Sequence, residues 1–202
     1  MRRKALRITP IVAAFLFAAA CSSDSPAKPA VGETATAVFA GGCFWCTESD
    51  FDKVPGVIST TSGYTGGRVA NPDYKQVSAG GTGHIEGVRV VYDPRRVSYA
   101  QLVGRFLPTI DVTDGRGQFC DRGESYRPAI FVANAEQRRT VVAALKQIDP
   151  IIDKPLAVAV LPAARFWPAE DYHQDYYRKN PARYKFYRWN CGRDQRLKQL
   201  WK

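Results

Sequence analysis

The apolar run Ala35-Thr36-Ala37-Val38-Phe39-Ala40 passes through Gly41-Gly42 into Cys43-Phe44-Trp45-Cys46-Thr47-Glu48. The run reads as a strand. Behind it, Ser49-Asp50-Phe51-Asp52-Lys53-Val54 reads as a helix closed by Pro55-Gly56. No other stretch limits the fold as strongly. Two glycines between a strand and a helix allow a tight turn and leave no side chain in the path of an incoming group. A helix N-terminus offers unpaired N–H groups and a partial positive charge. Both favour thiolate over thiol, and the thiolate is the nucleophile. Cys43 is therefore expected to be a catalytic nucleophile.

The rest of the chain continues the alternation. Val57 to Tyr64 is β-branched and alternating, which predicts a strand. Thr65 to Gly83 is a long irregular stretch, and loops of that length inside a domain are usually functional. Ile85 to Tyr92 predicts a second alternating strand, stopped by Asp93-Pro94. Ser98 reads as an N-cap, with Tyr99, Leu102, Val103, Phe106 and Leu107 at helical spacing. A second irregular stretch runs from Pro108 to Arg127. The apolar run Pro128 to Ala133 follows, then a helix capped by Asn134 with Val141, Val142, Leu145 and Ile148 on one face. Leu156 to Leu161 predicts a further strand, and the aromatic tail from Phe166 to Tyr177 a short outer helix before a helical C-terminal stretch. The resulting order, β-α-β-β-α-β-α-β, contains a βαββαβ core. That order suits an α+β two-layer sandwich of ferredoxin-like kind, with long loops and an irregular or helical tail.

The first twenty residues stand apart. Arg2, Arg3, Lys4 and Arg7 precede the apolar run Ile11 to Ala20, which is too short for a confident membrane span. Ala18-Ala19-Ala20-Cys21 then supplies small residues up to a cysteine. Residues 1–20 are expected to be a secretory signal of lipoprotein-like kind, with Cys21 the lipid-bearing residue. The alternative is an ordinary signal cut near Ala20, with Cys21 incidental. Residues 21–34, rich in Ser, Pro and Ala, read as a flexible tether, and 35–202 as the folded domain. The expected location is the cell envelope, as a lipid-anchored periplasmic or surface protein. The chain carries a formal net charge of +10, with basic residues clustered from Arg178 to Lys202. In an exported protein that tail reads as a solvated face or a contact with anionic headgroups, not as a nucleic-acid patch.

Five cysteines are present; without Cys21 they are Cys43, Cys46, Cys120 and Cys191. In an exported chain they could form two structural disulfides, although a domain of this size has no need of staples. Cys43-x-x-Cys46 also fits thioredoxin-like disulfide exchange, or a structural pair buried beside Phe44 and Trp45. With His84-x-Glu86 it is reminiscent of the ligand set of zinc deaminases, but in reversed order, so no metal is expected. The first long loop and the strand after it offer Tyr74, His84 and Glu86; the second loop offers Cys120, Asp121, Glu124 and Tyr126.

Eight segments together resemble the A-class peptide methionine sulfoxide reductases. They are Gly42-Cys43-Phe44-Trp45 with Glu48, Pro55-Gly56-Val57, Gly63 to Gly67, and Asn71-Pro72-x-Tyr74. The others are Gly83-His84-Ile85-Glu86, Tyr92-Asp93-Pro94, Gly123-x-x-Tyr126-Arg127 and Ala169 to Gln174. The resemblance covers about residues 36 to 191, and the segments fall in the family's order. It implies reduction of methionine S-sulfoxide, free and in proteins, without a cofactor. It implies Cys43 as nucleophile, Phe44 and Trp45 as the wall that receives the methyl group, and Glu86 as the acid that protonates the sulfoxide oxygen. Tyr74 and Tyr126 become the phenols that bond that oxygen, and Asp121 a carboxylate that orders the site. His84 and His173 are assigned structural roles, His84 toward a loop backbone group.

The chemistry is coherent with that assignment. A sulfoxide sulfur is a poor electrophile until its oxygen is protonated, so the acid must keep its proton near neutral pH. Attack by Cys43 gives methionine and a sulfenic acid, which a second cysteine closes to a disulfide. Candidates for that cysteine are Cys46, which stands where the commoner family pattern has glycine, then Cys191 and Cys120. The expected electron donor is thioredoxin or an exported thioredoxin-like protein. The loop also departs from the family at Thr109-Ile110-Asp111-Val112-Thr113, where His-Asp-Pro-Thr is common.

Overall fold

The computed structural model describes residues 32–202, so the expected signal, Cys21 and most of the expected tether lie outside the described residues. In chain order the strands are β1 (Ala35–Ala40), β2 (Val57–Thr65), β3 (Ile85–Tyr92), β4 (Gly117–Gln118), β5 (Asp121–Arg122), β6 (Ala129–Val132), β7 (Ala159–Pro162) and β8 (Phe166–Pro168). The helices are α1 (Phe44–Phe51), α2 (Tyr74–Ala79), α3 (Tyr99–Phe106), α4 (Ala135–Ile148), α5 (Tyr176–Lys179), α6 (Pro181–Asn190) and α7 (Arg193–Leu200).

Six strands form one sheet in the order β7-β6-β1-β3-β2-β8, and β4 and β5 form a small separate hairpin. Its four central strands are the expected βαββαβ core, with α1 and α3 as the crossovers. β1 is antiparallel to both neighbours: Ala37 faces Val90 on β3, and Phe39 faces Ile130 on β6. The period-2 alternation of β1 sorts its side chains. Ala37 and Phe39 enter the main core, while Val38 and Ala40 join Ile85, Ala129 and Phe131 on the other face. Phe39 is fully buried and its ring lies 4.7 Å from that of Phe51 and 5.0 Å from that of Phe106. Burial of an aromatic side chain of this kind contributes ~1.5–3 kcal/mol. The same contacts hold α1 and α3 against the sheet and so fix the turn before Cys43.

Local signals mark several boundaries. Ser98 and Asn134 cap α3 and α4 as expected, Ser98 through a capping box with Gln101. Four expectations need correction. The first helix begins at Phe44 rather than Ser49, which places Cys46 inside it. The first irregular stretch contains α2, whose Asp73–Gln76 capping box satisfies its N-terminus. In the aromatic tail the short helix begins only at Tyr176, while Phe166–Pro168 pairs along β2 as an edge strand; at Gly63 a Cβ would lie 2.3 Å from the Trp167 carbonyl. On α4, Val141 is buried but Val142 is exposed, because helix phase turns Val141, Ala144, Leu145 and Ile148 to the core and Val142 away from it. Among the described residues no helix is long and apolar enough to cross a membrane.

Candidate active site

Between β1 and α1 the backbone leaves room for nothing larger than glycine. Gly42 has φ +81°, and a Cβ there would lie 2.5 Å from Cβ of Gln118. A Cβ on Gly41 would lie 2.7 Å from Oγ1 of Thr47. Cys43 then occupies the N-cap of α1 without a side-chain cap bond. The first free N–H of the helix, that of Phe44, instead donates to Oε2 of Glu86 at 3.1 Å. Glu86 comes from β3 and is 3% exposed. Burial pushes its carboxyl up to about 8, against the opposing effect of the Phe44 N–H. A carboxyl in this setting holds its proton at neutral pH and has it to give.

The two thiols of α1 are buried and lie within hydrogen-bonding reach of each other. Burial raises Cys43 well above the ordinary thiol range, and the Cys46 thiol, Glu86 and Asp121 act in the same direction. The hydrogen bond from Cys43 brings Cys46 down to about 7 against its own burial, with Arg193 and Arg188 assisting. At Cys43 burial therefore opposes the effect of the helix N-terminus.

Cys43 and Glu86 open on a cavity of about 220 Å3 walled by Phe44, Trp45, Tyr74, Asp121, Tyr126 and Tyr187. Residues from β3, both long loops and α1 thus converge, which their spacing along the chain could not show, and Tyr187 from α6 joins them. The Tyr126 hydroxyl is directed at that of Tyr74. Burial raises the pKa of both phenols, so both remain protonated donors. Asp121, raised by burial, accepts a hydrogen bond from the Tyr187 hydroxyl. Phe44 is 1% exposed and half core, half cavity wall. Trp45 stacks on Tyr176 at 3.7 Å and meets Tyr187 edge-on at 5.7 Å.

The segment Ala169 to Gln174 fixes this wall. Glu170 accepts from the Tyr74 backbone N–H and from the Tyr64 hydroxyl, both at 2.8 Å. His173 Nδ1 accepts from the Trp45 indole at 3.0 Å. Burial holds His173 below the usual imidazole range and so neutral. The Gln174 side chain accepts from Ser62 N and donates to Ser62 O, each at 2.9 Å, tying the segment to β2. His84 sits outside the cavity: its Nε2 lies 2.7 Å from the Val69 carbonyl, and its Nδ1 accepts from Gly67 N. Cys43, Cys46, His84 and Glu86 therefore do not form a ligand set. Among the described residues one group of ligand-type side chains gathers, Cys120, Asp121 and Cys191. Its two sulfurs are joined to each other as a disulfide across 71 residues, while Cys43 and Cys46 are free. Two of the three candidate partners for Cys43 are thus paired together.

A nucleophilic cysteine at a strand-to-helix turn, facing a neutral buried carboxyl across an aromatic cavity, defines a thiol-based oxidoreductase with a built-in proton donor. The model of the family described as peptide methionine sulfoxide reductase matches residues 35–202. The chain is 51% identical to peptide methionine sulfoxide reductase MsrA 2 of Rhizobium meliloti, over 93% of this chain and 92% of that protein. It is 48% identical to the MsrA/MsrB protein of Vibrio cholerae over 95% of its own length, and spans about half (52%) of that longer relative. The structure of methionine sulfoxide reductase A of Corynebacterium diphtheriae superposes with a TM-score of 0.67 at 34% identity, over 74% of this chain and 77% of that one. The chain belongs to the peptide methionine sulfoxide reductase family, and its reaction is the thiol-dependent reduction of methionine sulfoxide to methionine.

Proposed function

We propose that this protein reduces the S epimer of methionine sulfoxide, free and within proteins, through Cys43 as nucleophile and Glu86 as acid. The observation that carries this reading is their common cavity, in which a neutral carboxyl faces the only cysteine among its walls. Phe44 and Trp45 receive the methyl group, and the Tyr74 and Tyr126 hydroxyls bond the oxygen. Glu86 gives its proton to that oxygen as the Cys43 sulfur attacks the substrate sulfur. Methionine leaves and the oxygen stays on Cys43 as sulfenic acid. Cys46 then closes a disulfide with Cys43 and water is released. Cys46 is favoured for this step because it lies one helical turn away and free, whereas Cys120 and Cys191 hold each other. Two electrons from thioredoxin or an exported thioredoxin-like dithiol return the pair to thiols.

Residues 1–20 are read as a signal and Cys21 as a lipid anchor, which would place the enzyme in the cell envelope to repair oxidised proteins there. The order of basic, apolar and small residues up to Cys21 supports this. Incorporation of labelled palmitate into the wild type and not into Cys21→Ala is the expected result. For the central reading, Cys43→Ser is expected to abolish reduction of methionine S-sulfoxide with dithiothreitol as donor. An active Cys43→Ser enzyme would overturn the assignment.

A further inference from the structure

Helix α6 has two faces of opposite kind. On the inner one Tyr184 is buried, Tyr187 walls the cavity, and Arg188 pairs with Asp50 of α1 at 3.0 Å. On the outer one Phe186 is 64% exposed and Trp189 is 75% exposed, and their ring centroids lie 6.0 Å apart. Three-residue spacing puts both rings on one side of the helix. At about 100° per residue, Arg183 falls on one flank of the pair and Lys185 on the other, and both are exposed. Single apolar residues at a surface need no explanation; an aromatic pair in contact and rimmed by cations does.

The cations around this face are not used up within the fold. Arg178, Arg188 and Arg196 are each bound to carboxylates. Among the described residues Arg183, Lys185, Lys198 and Lys202 form no ion pair, and all four are exposed. Asp194 is the only acidic residue between Tyr176 and Lys202, and Arg188 holds its carboxylate at 2.7 Å. Lys185, Trp189 and Lys198 also border a cleft of about 430 Å3 between α6 and α7, with the Arg188–Asp194 pair on its wall. The face is thus apolar at its centre and positive around it, which is complementary to a surface of anionic headgroups.

We propose that the outer face of α6 is a docking surface for an anionic lipid bilayer. Phe186 and Trp189 enter the headgroup layer, and Arg183, Lys185 and Lys198 meet its phosphates. Aromatic rings favour that layer, and cations beside them add attraction to anionic lipid. The stems of Lys185 and Arg183 can lie along the rings while their charged ends stay at the phosphates. The inference rests on the exported reading of residues 1–20, which brings lipid rather than nucleic acid within reach of this face. Tyr187, on the inner side of the same helix, would then hold the cavity about one helix diameter, ~10–12 Å, from the bilayer. That placement suits methionine sulfoxides in proteins of the same membrane.

The test uses the full chain carrying Cys21→Ala, so that no lipid is attached and the segment before residue 32 contributes equally to every sample. Co-sedimentation is measured with phosphatidylcholine vesicles and with vesicles of phosphatidylcholine mixed with phosphatidylglycerol. This starting chain is expected to bind the mixed vesicles and to leave them as salt is raised. Phe186→Ser/Trp189→Ser and Lys185→Glu/Lys198→Glu, each shown to be folded by circular dichroism, are expected to bind them at least about tenfold more weakly. Both are expected to keep the starting kcat/KM on free methionine S-sulfoxide, since none of the four residues lines the cavity. If either variant binds the mixed vesicles like the starting chain, the proposal fails. It fails also if the aromatic variant turns a dimer into a monomer, by light scattering, with vesicle binding unchanged, which would make the face a contact between copies. Tighter binding to an oligothymidylate than to the vesicles, lost in both variants, would make it a nucleic-acid surface and overturn the proposal. Absence of palmitate incorporation would remove the anchor at Cys21 but not the vesicle binding, so the two readings fail separately.

Discussion

Glu86, as the acid of the proposed mechanism, sets the alkaline limit of the reaction. Glu86 must be protonated to act, and burial places its pKa at about 8, so activity is expected to fall as pH rises through that value. The kcat/KM profile should therefore show an alkaline limb that belongs to the coupled site rather than to a single residue. Glu86→Gln keeps the acceptor for the Phe44 N–H and removes the proton. It should lower kcat/KM by roughly 10²–10⁴ and erase the alkaline limb, with little change in thermal stability. A Gln variant that keeps the alkaline limb would remove Glu86 as the acid. Cys43, Tyr74, Glu86 and Tyr126 could be singled out in the sequence because each stands in a contiguous motif, and Asp121 because it lies three residues before one; the structure lines one cavity with all five. Tyr187 and Arg193 gave no such signal: each sits in a basic, aromatic tail where the next residue looks much the same, and only helix phase decides which one points inward.

At the scale of elements, the turn into α1 depends on Gly42. With φ +81° and Gln118 against its missing Cβ, Gly42→Ala brings backbone strain and a clash together. A loss of roughly 1–3 kcal/mol is expected from the strain alone, read as a lower urea midpoint. Gln118 would be displaced as well, and it bonds Asp111 N, Asp111 O and Asp114 O of the facing loop. The far end of α1 carries a different load. Glu48 is buried, accepts from the Asp175 backbone N–H at 3.0 Å, and is pushed up to about 7 by burial and by Asp52 and Asp175. A carboxyl raised in the fold binds more protons folded than unfolded between about 4.5 and about 7, so it makes stability fall as pH rises through that window. Glu48→Gln is expected to flatten this decline in melting temperature measured from pH 4.5 to 7.5; an unchanged slope would show that Glu48 is not its source. The helices α3 and α4 were readable from their caps and periodicity. The short strands β4, β5 and β8 were not, since two or three residues carry too little periodicity, and β8 exists because β2 offers it an edge.

The whole molecule is closed around the site by its C-terminal third. Arg188 bridges Asp50 on α1 to Asp194 on α7, Gln174 pins the tail to β2, and the Cys120–Cys191 disulfide binds the corner of α6 and α7 to the β4–β5 hairpin. Linking residues 71 apart removes unfolded-state entropy worth up to ~4 kcal/mol. Cys120→Ser should therefore unfold at lower temperature than the oxidised wild type, and the difference should vanish when the wild type is reduced. Retention of the full difference under reduction would assign the loss to packing instead. The sequence by itself determined the βαββαβ order, the cysteine on its glycine turn and the family, because these rest on local periodicity, on backbone conformations only glycine tolerates, and on contiguous motifs. The tertiary structure alone decided which cysteines pair, which side chains line the cavity beside Cys43, and that the buried Arg193 of α7 lies beneath the turn. Those outcomes depend on burial and on distances between segments far apart in the chain, and neither is written in the spacing of residues.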